Sequence, residues 1–178
     1  DRELLRKDIE NHLAAVKASG ATEGFMTAAS PGTIVHAFGP NQYYPSDEAY
    51  VGALADAMRD EYKAIADAGL IVQIDCPDLA MVRHMTLKHL SDGDFLKRAE
   101  MHVEAMNHAL SNVPAESARM HICWGNYEGP HDHDIGLDQV LGIILKGKPS
   151  GIQFEASNPR HAHEWTVWRD NAIPDDKV

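Results

Sequence analysis

The chain has 178 residues, 44% of them hydrophobic and 24% charged, with a net charge of -11, an ordinary globular composition for one folded unit. Twenty-seven acidic against sixteen basic residues would repel a phosphate backbone, and no basic cluster offsets this, so nucleic acid is not an expected partner. Every apolar stretch is broken by charge or glycine well before the roughly 18 to 20 residues a bilayer requires.

The N-terminal residues Asp1 to Glu10 are charged and helix-like and show no secretory pattern. The two cysteines, Cys76 and Cys123, are too few for a disulfide framework and fit a reducing cytoplasm. Of the eleven histidines, about half are expected on the surface.

From Arg2 to Ser19, Leu5, Ile9, Leu13 and Val16 recur at helical spacing, and Gly20 follows as a helix end. Residues 24–29 (GFMTAA) are short and apolar and predict a buried strand. Ser30 to Pro45, with its glycines and prolines and the pair Tyr43-Tyr44, reads as a long loop ending at Ser46, a good N-cap with Asp47 and Glu48 behind it. A helix over 47–68 carries Val51, Leu54, Ala55, Met58, Tyr62 and Ile65 on one face.

The branched run LIVQID (70–75) predicts a second strand, ended by Cys76-Pro77-Asp78. A helix over 94–110, a strand over 119–124 (RMHICW), a short helix over 137–145 and a strand over 151–156 (GIQFEA) complete the chain, each strand opening into a polar loop. Strands too apolar to have a wet face, alternating with helices, imply parallel pairing with right-handed crossovers. Four such units fall short of the eight strands and about 250 residues of a closed barrel. The expectation is therefore an α/β fold, a partial TIM (β/α)8 barrel in a single unit over residues 1–178, with an open doubly wound sheet as the alternative. Both architectures place a site at the C-terminal ends of the strands.

His121 and Cys123 lie two apart on one predicted strand, so their side chains share a face at roughly 6.5 to 7 Å spacing. Glu155 falls at the matching place on the next strand, about 4.8 Å away for adjacent parallel strands. A glutamate between Phe154 and Ala156 is costly to bury without a cation or hydrogen bonds. Nitrogen, sulfur and oxygen donors in that combination suit Zn²⁺. Asp75 at the tip of LIVQID, and Asp78 after it, are candidates for holding a substrate amine or hydroxyl, with a turn-capping role for Asp75 as the bland alternative. Asn126 and His131, on the loop after the His-x-Cys strand, are candidates to orient a ligand. His133, His161 and His163 read as surface or loop residues.

HICWGN, with IQFEASNPRHAHEW downstream and IVQIDCPDLAM upstream, resembles the catalytic barrel of cobalamin-independent methionine synthase and its relatives, including the epoxyalkane:coenzyme M transferases. The resemblance implies a zinc ion held by His121, Cys123 and Glu155 and by a second cysteine on a later strand, for which residues 1–178 have no counterpart. It also implies Asp75 as the residue holding a substrate amino group, with Cys76 where an acidic residue is usual. The implied activity is transfer of an alkyl group, methyl above all, from a donor to a small-molecule thiol held as thiolate. The competing expectations are a metal-assisted hydrolase or lyase, in which a metal activates water, and a non-catalytic metal-binding unit that could form a homo-oligomer through open sheet edges.

Overall fold

A computed structural model describes residues 1–178. Helix α1 spans Arg2–Ser19, capped by the Asp1 carboxylate, which accepts from the amides of Glu3 and Leu4, and ended by Gly20 in the left-handed region (φ 68°). Strand β1 (Phe25–Ala29) leads to α2 (Pro31–Phe38), then α3 (Asp47–Asp67). Strand β2 (Ile71–Asp75) is followed by a 3₁₀ turn over Pro77–Leu79, the short α4 (Met81–His84) and α5 (Asp92–Ala109). Strand β3 (Ala118–Ile122), α6 (Leu137–Ile144), β4 (Gly151–Phe154) and α7 (Trp165–Asp170) end the chain.

Three of these helices depart from the sequence expectation. The stretch taken as one long loop contains α2, started by Ser30, whose hydroxyl accepts from the Thr33 amide, with Pro31 in the first turn. Proline has a preset φ and no amide to lose there. Neither α4 nor α7 was expected; at four and six residues each is too short to show a periodic apolar stripe.

The four strands form one all-parallel sheet in the order β1-β2-β3-β4. A doubly wound sheet reverses its strand order at a switch point; this one advances steadily, strand by strand. The fold is partial TIM-barrel-like. The helices cover one face, where Val72, Ile74, Met120 and Ile122 are fully buried among Tyr62, Ile65, Phe95, Val103, Met106, Val140 and Ile144. Cys76 belongs to that face, buried, with its thiol pushed well up by burial.

The opposite face, which would line a barrel, is polar and open. Its rows follow from the register: Thr27, Gln73, Arg119 and Gly151 lie side by side, and Ala29, Asp75, His121 and Gln153 form the next row toward the C-terminal ends. Arg119 donates through Nε to Gln73 Oε1 (2.6 Å) and stacks its guanidinium 4.0 Å from the Phe25 ring centroid.

A second buried feature ties the helices to the turn after β2. The Ser30 hydroxyl donates to Asp78 Oδ1 (2.6 Å), the Thr33 hydroxyl lies 2.9 Å from the same oxygen, and His102 Nδ1 is 2.9 Å from Oδ2. Against this pair sits His36, edge-on to His102 with centroids 5.8 Å apart. Burial, and then the nearby His102 and Arg98, lower the His36 pKa from 6.5 to about 4, against an opposing pull from Asp78.

A histidine kept neutral in the fold is protonated first in the unfolded chain, so its contribution to stability falls as pH drops from 6.5 toward 4. Discounted for the ring's partial exposure, this amounts to about 1–2 kcal/mol. Denaturant unfolding across that window should show His36→Gln with a shallower decline than the parent chain. Parallel declines would remove His36 as the cause.

Candidate functional site

The C-terminal edge of the open face gathers the chemically active residues. Asp75 ends β2, and the register sets it beside His121, the penultimate residue of β3. Cys123 lies one residue beyond β3 and Glu155 one beyond β4; the Glu155 amide donates to the Ile122 carbonyl (3.2 Å) and so carries the ladder one step further. Cys123 and Glu155 thus stand level on neighbouring strands.

His121 Nε2 is 3.9 Å from Asp75 Oδ1, while its Nδ1 is buried and has no hydrogen-bond partner. Cys123 is a free, half-buried thiol. Burial raises its pKa, the Gly125 amide opposes this, and the Asp75 and Glu155 carboxylates push in the same direction as burial. Burial also raises the Asp75 carboxyl, with His121 pulling against it and Asp78 adding to the rise.

Glu155 Oε1 accepts from the amides of Ser157 (2.6 Å) and Asn158 (2.7 Å), which directs the carboxylate toward its own loop. His121, Cys123 and Glu155 are therefore neighbours whose donor atoms are not gathered into one tight cluster. The His, Cys, Asp and Glu side chains with donor atoms mutually within 4.8 Å are His131, Asp134 and His161.

The remaining sequence candidates divide. Asn126 is exposed on the loop after β3. Asp78 is 2% exposed, its two oxygens taken up by Ser30, Thr33 and His102, so it fastens the interior and does not face a substrate. His131 is also turned inward: Nδ1 meets Asp134 Oδ2 at 2.7 Å and Nε2 the Tyr127 carbonyl at 2.8 Å. His133 and His163 are exposed, as expected. His161 is not; it is 6% exposed, stacked on Trp124 with centroids 4.4 Å apart. Asp134, His161 and Glu164 escaped the sequence reading, although His131 and Asp134, like His161 and Glu164, share a His-x-x-acid spacing.

Curated relatives named methionine synthase, from Saccharolobus islandicus and Saccharolobus solfataricus, are each 35% identical to the chain over 118 residues, or 65% of its length. Over that stretch the chain is similar to methionine synthases. The matched stretch amounts to 31% of each relative's length, so the chain spans only part of the proteins it resembles. No protein-family model matches it. No helix of the chain is long and apolar enough to cross a membrane.

Proposed function

We propose that the chain forms part of an enzyme that transfers an alkyl group, methyl above all, to a small-molecule thiol, with zinc held by His121, Cys123 and Glu155. The carrying observation is the alignment of Asp75, His121, Cys123 and Glu155 at the strand ends of three consecutive strands, in a chain similar to methionine synthases.

The residues suit a zinc ion. His121 Nδ1 is a buried nitrogen without a partner, Cys123 is an unpaired thiol, and Glu155 makes its hydrogen bonds through Oε1, leaving Oε2 free; imidazole, thiolate and carboxylate together are a zinc donor set. Zinc bound there would stabilise a substrate thiol as thiolate at neutral pH.

The chain's own groups supply orientation. Asp75 has a side chain 39% exposed at the open face, where it is placed to accept hydrogen bonds from a substrate amine or hydroxyl. Trp124, beneath the site, donates from Nε1 to the Ile135 carbonyl (2.7 Å) and fixes the loop that follows Cys123. In the proposed reaction the substrate sulfur loses its proton and attacks the alkyl carbon. A carbon–sulfur bond forms as the bond from that carbon to the donor breaks, with no covalent link to the protein. The net charge of -11 and the absence of a basic cluster favour a small substrate, and the reading places the reaction in the cytoplasm.

Titrating the zinc-loaded chain with a small thiol tests this. The expected result is one proton released per thiol bound and one additional sulfur in the zinc X-ray absorption spectrum. Zinc that binds the chain but gains no sulfur from the thiol would defeat the transfer reading and favour activation of water.

A further inference from the structure

The loops leaving β3 and β4 are joined by a buried run of side chains outside the row that ends at Glu155. The Tyr127 carbonyl is 2.8 Å from His131 Nε2, and His131 Nδ1 is 2.7 Å from Asp134 Oδ2. The same oxygen is 2.8 Å from His161 Nε2, whose Nδ1 is 3.0 Å from Glu164 Oε2. Glu164 Oε1 in turn accepts from the Leu137 amide at 3.0 Å. The His131, Asp134, His161 and Glu164 side chains are 3%, 9%, 7% and 11% exposed.

All four ring nitrogens face carbonyl or carboxyl oxygens, and the two inner ones, His131 Nδ1 and His161 Nε2, converge on a single oxygen. That oxygen is Asp134 Oδ2, while Asp134 Oδ1 is buried with no partner at all.

A divalent cation between the two inner nitrogens and the Asp134 carboxylate would meet two imidazole donors and one carboxylate donor at once. It would also give the unpartnered Asp134 Oδ1 a positive charge to face. The outer nitrogens would remain N–H donors to the Tyr127 carbonyl and the Glu164 carboxylate, the outer-shell pattern that metal-bound histidines keep. The three donor atoms already lie within 4.8 Å of one another. The 2.7 and 2.8 Å contacts need to open by roughly half an ångström to match ligands each about 2.0 to 2.2 Å from zinc.

We propose that His131 Nδ1, the Asp134 carboxylate and His161 Nε2 form a structural site for a divalent first-row cation, zinc by donor type. The ion displaces any hydrogen held between the inner nitrogens and Asp134, and it staples the loop after β3 to the loop after β4. The site shares no ligand with the one proposed at Cys123, so it stands or falls independently of alkyl transfer.

The test uses the full chain as Cys123→Ser, with Co²⁺ as the only metal. One cobalt should still bind, with visible d–d absorption and no sulfur charge-transfer band. Adding Asp134→Asn or His161→Ala should weaken that binding at least about a hundredfold, the upper range for loss of an outer-shell partner alone. As a readout that needs no further variant, Zn²⁺ should shift the imidazole nitrogen resonances of His131 and His161 in Cys123→Ser while leaving exposed His163 unmoved. Failure of Cys123→Ser to take up cobalt, cobalt binding indifferent to Asp134→Asn, or unmoved His131 and His161 resonances would each overturn the site.

Discussion

Asp78→Ala should lower the unfolding free energy by about 3–5 kcal/mol, because it removes a buried acceptor and leaves three side chains without their partner, each at a cost of about 1–3 kcal/mol. Asp78 and His102 have side chains 1% exposed, and the substitution strands His102 Nδ1 together with the hydroxyls of Ser30 and Thr33. Asp78→Asn, which keeps an oxygen for the hydroxyls, should cost about 1–3 kcal/mol. Gly32 explains why the pair is so confined: a Cβ there would sit 2.1 Å from Asp78 Oδ2 and 2.3 Å from His102 Nδ1. Gly32→Ala should therefore also destabilise, and less so in the Asp78→Ala background, by a coupling of about 0.5–3 kcal/mol.

The pH sign for Asp78 follows from its environment. Burial alone would raise its carboxyl, but the hydrogen bond and charge of His102, with the Ser30 and Thr33 hydroxyls, outweigh this and hold it below its usual value. Its stabilisation is therefore present above the ordinary carboxyl pKa and lost only as pH falls through the lower folded value. Denaturant midpoints of the parent and Asp78→Ala chains at neutral pH decide the matter; a loss under about 1 kcal/mol would mean the network is not the tie proposed.

The second large effect concerns the two cysteines. Cys123→Ser should weaken zinc at the strand-end row more than about a hundredfold, beyond what loss of an outer-shell group costs. Cys76→Ala should leave that affinity unchanged. The contrast rests on sheet geometry: Cys76 is 1% exposed on the helix-covered face, whereas Cys123 opens on the other face beside His121 and Glu155. Zinc titration against a chromophoric chelator separates the two, and equal loss in both variants would remove Cys123 from the ligand set.

Much of this arrangement was legible in the sequence because it is local. The caps at Ser46 and Gly20, the apolar stripes of α1, α3 and α5, and the two-residue spacing of His121 and Cys123 depend on residues within a few positions of one another. The level placement of Glu155 against Cys123 needed only the assumption of parallel neighbouring strands, which the register supports. What stayed hidden depends on distant partners. Asp78 looked like a free loop acid because His102 meets it from α5, and His161 looked like a surface histidine because Trp124 and Asp134 reach it from another loop. The helix α2 was hidden for a different reason: Ser30-Pro31-Gly32 serves both turns and helix starts, and the tertiary hydrogen bonds from Ser30 favour the latter.

The steady advance of strand order carries a kinetic consequence. Among β1 to β4 each strand pairs with the one just before it in the chain, so none of these three pairings waits for a distant segment. Loop-closure entropy is spread over several moderate steps and not concentrated in one long-range encounter. A chain emerging from the ribosome can add each strand to an edge already in place, with folding proceeding vectorially from the amino-terminal end.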